Sequence, residues 1–139
     1  MSSDRIWCVD TSVLLRALTD SSAAAVNWLT TADGILAGSK MLEIETRRII
    51  INRGGDSSLA DAYLSDFTFT EITNEIAHKT ATLPAVISGA DAIHVATALQ
   101  LGQGVTLVTH DKQQAAAAIV LGLSVFDPVT DDPGHPPVS

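Results

Sequence analysis

Asp10 and Asp111 stand at equivalent places in the chain. Each closes a short apolar run and opens a helical pattern, in "IWCVDTSVLL" and "VTLVTHDKQQ". An aspartate there can cap the helix, accepting from its first free N–H groups and favouring the positive end of its dipole. If the apolar runs are neighbouring parallel strands, the same two positions lie where an α/β sheet binds ligands, at the carboxyl ends of its strands. Taken singly, each residue leaves both readings open.

Glu45 and Asp91 are harder to place as surface charges. On a helical wheel for 41–52, Met41, Leu42, Ile44, Ile49 and Ile51 share one broad apolar arc, and Glu45 falls inside it. Arg48, one turn on, lies in the same arc, so a partly buried Glu45–Arg48 pair is the ordinary alternative to a functional role. Asp91 shares an arc with Ala92, Val95, Ala98 and Leu99 on a helix that is apolar on nearly every side. His94 is one turn further on, placed to bond to Asp91 rather than to bind a metal. Two like charges ~4 Å apart at an effective dielectric of 20 repel by about 4 kcal/mol. Four converging carboxylates therefore need protonation or a cation. All-oxygen donors select a hard ion, Mg²⁺ or Mn²⁺, which can orient a phosphodiester and activate a water against it.

The elements that must position these groups follow from periodicity and turn residues. Ile6 to Val9 reads as a buried strand and Val13 to Leu18 as a helix, with Asp10, Thr11 or Ser12 able to cap it. A helix over 21–32, a strand from Ile35 to Ala37 and a helix from Ser39 to about Arg53 come next, the last stopped by Gly54-Gly55. Then come a helix from Leu59 to Leu64, a strand from Phe67 to Thr70, a helix from Asn74 to Thr82, a helix from Gly89 to Leu101, a strand from Val105 to Val108, a helix to Leu121 and a last strand from Leu123 to Phe126. Strands alternating with helices predict a mostly parallel sheet covered on both faces.

With 139 residues, one domain over 1–126 is expected, and the acidic, Pro-rich stretch 127–139 has little to bury and reads as a flexible tail. Aromatics are only 4% of the chain, so small aliphatic side chains must dominate the core. Cys8 is the one cysteine, which excludes an internal disulfide and suits a reducing compartment. No stretch approaches the ~20 apolar residues that cross a bilayer, and the expectation is a soluble cytoplasmic protein. The net charge of −8 argues against a protein that holds nucleic acid through many phosphate contacts.

The segments "CVDTSVLLRAL", "SKMLEIETRR", "GADAIHVATAL" and "LVTHDKQ", in that order between Ile6 and Phe126, resemble PIN-domain ribonucleases of the VapC toxin type. The resemblance implies a three-layer α/β/α fold with strand order 3-2-1-4-5, which would make the first and fourth strands neighbours. It implies an acidic quartet for Mg²⁺ or Mn²⁺, which falls on Asp10, Glu45, Asp91 and Asp111. Glu45 matches rather than Glu43 because the family's glutamate precedes an arginine by three residues, as Glu45 precedes Arg48. Thr11, Ser12 and Thr109 match hydroxyls that support the ligands or orient substrate, with helix capping as their alternative role. Pro84 and Gly89 depart from the pattern, so the loop before Asp91 is expected to take its own shape.

The implied activity is metal-dependent endoribonuclease cleavage by the toxin of a type II toxin–antitoxin pair. It carries a VapB-like antitoxin and a homodimer as expected partners, and no membrane. Arg16, Lys40, Arg48, Arg53 and Lys112 are the candidates for gripping RNA, while Arg47 is better read as part of a solvated helix face or of an ion pair with Glu43 or Glu45. Two rivals are weaker. A haloacid-dehalogenase-like phosphatase wants a second aspartate where Ser12 stands, and a receiver-like metal-binding module wants a lysine after its last strand, where Asp127 follows Phe126.

Overall fold

The computed structural model describes residues 5–19 and 22–131. Its five strands form one parallel sheet in the order β3-β2-β1-β4-β5, as the resemblance implied. The chain runs β1 (Ile6–Val9), α1 (Thr11–Leu18), α2 (Ala23–Thr31), β2 (Ile35–Ser39), α3 (Lys40–Asn52), α4 (Ser57–Leu64) and β3 (Phe67–Thr70). It continues through α5 (Asn74–Thr80), α6 (Gly89–Leu101), β4 (Val105–Val108), α7 (Lys112–Val120) and β5 (Ser124–Phe126). It moves outward from β1 to β3, then crosses back to β4 on the other side of β1. That reversal places the switch point, and the crevice that goes with it, between the carboxyl ends of β1 and β4.

Alternation along β1 divides the interior in two. Trp7 and Val9 point into a core with Val13, Leu14, Trp28 and Phe126, where the Trp7 and Trp28 rings meet edge to face at 5.4 Å. Cys8 points to the opposite core, where α6 and α7 contribute Ala92, Val95, Ala98, Ala117 and Ala118. The few rings are thus gathered on one face, and the other is packed with small aliphatic groups that let two helices lie close on the sheet.

Local chemistry sets the ends of the helices that carry the acids. Ser39 caps α3 by accepting from Met41 N at 3.1 Å, and Ser88 caps α6 by accepting from Asp91 N at 3.2 Å. A side chain at Gly38 would come within 2.5 Å of Leu42 Cδ2, so the absence of one lets α3 start this close to β2. The wheel is corrected here. The buried face of α3 is Leu42, Thr46 and Ile50, while Ile44 is 47% and Ile51 70% exposed. Of the stretch expected to be loose, 127–131 fold against the domain, with Pro128 buried and Val129 packed on the first core. Residues 132–139 lie outside the described residues.

Candidate active site

The parallel register continues past the strand ends. Asp10 N donates to Val108 O and Thr109 N to Phe126 O, both at 3.0 Å, which sets Asp10 beside Thr109. Asp10 occupies the N-cap position of α1 but makes no side-chain capping bond. Its carboxylate accepts instead from Ser12 Oγ on Oδ1 and from Thr109 Oγ1 on Oδ2, each at 2.6 Å. Both hydroxyls accept in turn from the β4–α7 junction, Ser12 Oγ reaching across to accept from His110 N at 2.9 Å and Thr109 Oγ1 accepting from its own near neighbour Asp111 N at 3.0 Å. Asp111 does cap its helix, with Oδ1 accepting from Gln113 N and Gln114 N at 2.9 and 3.2 Å.

Asp10 is 2% exposed. Burial pushes its carboxyl up to about 6, against the pull of His94 and the two hydroxyls and with the charge of Asp91 adding to the rise. Asp91, in the first turn of α6, is raised by partial burial and then by Asp111 nearby, with Glu45 contributing. The four acids come from four separate elements, and Asp91 is close enough to interact with each of the other three.

Glu45 is half-buried, and its alternative partner Arg48 is exposed and not bonded to it. His94 Nε2 lies 2.9 Å from Glu45 Oε1, and Thr11 Oγ1 donates to the same oxygen at 2.6 Å. Burial raises Glu45, but these bonds outweigh it and hold the carboxyl below its ordinary value. His94 is 2% exposed, and its Nδ1 has no hydrogen-bond partner among the described residues. A carboxylate oxygen only accepts, so the ring nitrogen that faces it, Nε2, is the one that donates to Glu45. Thr11 therefore ties α1 to α3, and His94 ties α6 to both. Helical spacing pointed to His94 but placed its bond on Asp91, and no local signal could have named Glu45.

The basic candidates separate. Lys112 opens α7 beside Asp111 and is exposed; Lys40 opens α3, 3.3 Å from Glu43 and over the Phe69 ring. Arg16 is part-buried on α1, and Arg48 is exposed on α3. Arg53 follows the last turn of α3, roughly 12 Å along the axis from Glu45 by helical rise, so it stands away from the acids. Arg47 is engaged by Glu43 at 3.2 Å, one of its expected pairings, and by Asp61 at 2.5 Å, which lies outside the helix that carries it.

Among the described residues, no three His, Cys, Asp or Glu side chains are grouped to hold a metal ion as they stand. The donor chemistry nevertheless fits a hard divalent cation. All four groups are carboxylates, Asp10 is buried with only hydroxyl donors bonded to it, and Glu45 keeps Oε2 outside its two bonds.

The PIN domain family model matches residues 7–120. No curated protein matches the chain by sequence. Among solved structures, the chain is similar to one in a toxin–antitoxin complex from Klebsiella pneumoniae, with a TM-score of 0.68, 21% identity, and 90% of this chain and 98% of that one covered. It is similar to one in VapBC2 from Rickettsia felis bound to a promoter DNA fragment, with a TM-score of 0.66, 14% identity, and 88% and 98% covered. It is also similar to one in VapBC-1 from nontypeable Haemophilus influenzae, with a TM-score of 0.66, 14% identity, and 90% and 99% covered. The receiver-like alternative fails on topology, because that sheet runs 2-1-3-4-5. A match over residues 7–120, on a sheet of order 3-2-1-4-5, makes this chain a member of the PIN-domain family.

Proposed function

We propose that this chain is a Mg²⁺- or Mn²⁺-dependent endoribonuclease and the VapC-type toxin of a type II toxin–antitoxin pair. Family membership supports nuclease chemistry, and the similar folds come from toxin–antitoxin complexes. The observation that carries the reading is Asp10, a buried carboxylate at a helix start that declines to cap and lies within reach of the charge of Asp91. Asp10, Glu45, Asp91 and Asp111 would hold the metal. When bound, the ion supplies Lewis acidity that activates a water and offsets charge on the phosphoryl oxygens.

The chain's own groups do the rest. Ser12 and Thr109 fix both Asp10 oxygens and pull its proton affinity down, keeping a buried acid ionised near neutral pH. His94 and Thr11 hold Glu45 ionised in one rotamer. Asp111 is fixed by its capping bonds, and Lys112 and Lys40 put positive charge at the same edge of the sheet for the phosphate backbone. No described helix is long and apolar enough to cross a membrane, in keeping with work in the cytoplasm. A VapB-like antitoxin and a second copy of the chain complete the proposed assembly.

The test is cleavage of single-stranded RNA by purified protein. Cutting should require Mg²⁺ or Mn²⁺, stop with chelator, and be lost in Asp10→Asn, Glu45→Gln, Asp91→Asn and Asp111→Asn. Metal-independent cutting by all four variants would overturn the proposal.

A further inference from the structure

Residues 127–131 close on themselves beside the candidate site. Asp127 Oδ1 accepts from Val129 N at 2.9 Å, Asp131 Oδ2 accepts from Asp127 N at 2.8 Å, and Asp127 Oδ2 lies 2.8 Å from His110 Nδ1. This turn walls a cavity of about 210 Å³ that is continuous with Asp111. Its floor is Ala115, Ile119 and Val125, and its rim carries Lys112 and Thr130. The His110 ring is held in the wall by Asp127 and remains 26% exposed.

We propose that this cavity is a nucleobase subsite, taking an amino-bearing base of a nucleotide that flanks the phosphate to be cut. The inference rests on the nuclease reading above and adds a specificity determinant to it. Three features define the occupant. The space is below the roughly 300 Å³ at which pockets for drug-sized ligands begin, so it holds a single ring system. An apolar floor beside a fixed imidazole suits the face of a base, since histidine is among the side chains on which unstacked bases settle. The polar groups are mainly acceptors: Asp127 spends both oxygens on Val129 and His110, while Asp131 has one oxygen beyond its bond to Asp127 N.

A carboxylate edge accepts from the exocyclic amines of adenine, cytosine or guanine. Uracil presents one N–H between two carbonyl oxygens, and an oxygen facing Asp131 is repelled. An isolated phosphate is a poor occupant for the same reason, because Asp111, Asp127 and Asp131 all line the space. Lys112 at the rim is placed for the backbone of the same nucleotide.

The experiment is an amide NMR titration of the ¹⁵N-labelled full chain in chelator with AMP, CMP, GMP, UMP and ribose 5-phosphate. The proposal expects the nucleotides to shift Ala115, Ile119 and Thr130, with UMP roughly tenfold weaker than the other three, about the discrimination of one good base-edge contact. Asp131→Asn should shrink that difference, and Ile119→Trp, which fills the cavity from a half-exposed position, should abolish the shifts while the amide spectrum of the sheet persists. Equal shifts from ribose 5-phosphate, equal affinity for UMP, or an Ile119→Trp titration like that of the parent would overturn it. Because no metal is present, failure to cut RNA leaves this result readable, whereas cutting without base selectivity at this cavity contradicts the subsite alone.

Discussion

The two strand-to-helix junctions that face each other at the switch point carry the same residue and use it differently. After β4, Asp111 caps α7 through two backbone N–H groups. After β1, Asp10 holds the same position relative to α1, caps nothing, and lies buried with each oxygen on a hydroxyl. Capping would keep Asp111 in place whatever else it does. It cannot explain Asp10, whose burial costs free energy that no helix terminus returns. Equivalent sequence positions thus conceal one residue that its helix cap explains and one whose burial no cap explains.

The largest effects should come from removing charge while keeping shape. Asp10→Asn and Asp111→Asn should each slow RNA cleavage by more than about a hundredfold, beyond the roughly 10–100-fold that loss of a supporting partner costs. Rates with a fixed RNA and metal check this, and a cutting Asp111→Asn would make that residue a cap alone. Next in size, Thr109→Val and Ser12→Ala should lose about 10–100-fold. Each also removes a bond that pulls the Asp10 carboxyl down from its raised position, so the acidic limb of the pH–rate profile should move upward.

Smaller effects separate the junctions by stability in chelator. Asn caps about as well as Asp, so Asp111→Asn should melt close to the parent, while Asp111→Ala should lose about 1 kcal/mol. Asp10→Asn should instead gain about 1–2 kcal/mol at neutral pH, because it removes a buried charge and its repulsion from Asp91. The gain has a defined pH window. With the carboxyl raised from 3.8 to about 6, the folded state keeps a proton there that the unfolded chain has released. Relative to Asp10→Asn, the parent is therefore at its best below about pH 4 and loses stability as pH rises through 6, by at most about 3 kcal/mol. The smallest change belongs to Arg53→Ala, remote from the acids, which should leave RNA binding and its shallow salt dependence within about twofold.

What could be read in advance follows the range of the interaction. Strands β1 and β4 were legible because Ile6–Val9 and Val105–Val108 are continuous apolar runs, and α6 because Ser88 and Gly102 bracket it. The wheel for α3 erred where Ile44 and Ile51 sit in solvent, since an aliphatic side chain on a surface breaks no rule. The acids could be found from their positions, but the groups that hold them could not. Glu45 is held by Thr11 and His94, 34 and 49 residues away, and helical spacing sees only neighbours such as Arg48. The turn at 127–131 was invisible for the same reason, being fixed by a contact between Asp127 and His110, 17 residues apart.

The central claim is that Asp10 is kept for a cation, and thermal melting of the parent and Asp10→Asn, in chelator and in millimolar-range Mg²⁺ at neutral pH, tests it most directly. A cation that binds only the folded state raises its stability by mass action. The account predicts that Asp10→Asn melts above the parent in chelator, and that Mg²⁺ raises the parent's melting temperature more than the variant's. If the two proteins melt together in chelator and respond equally to Mg²⁺, Asp10 is not a metal ligand and the site built around it is wrong.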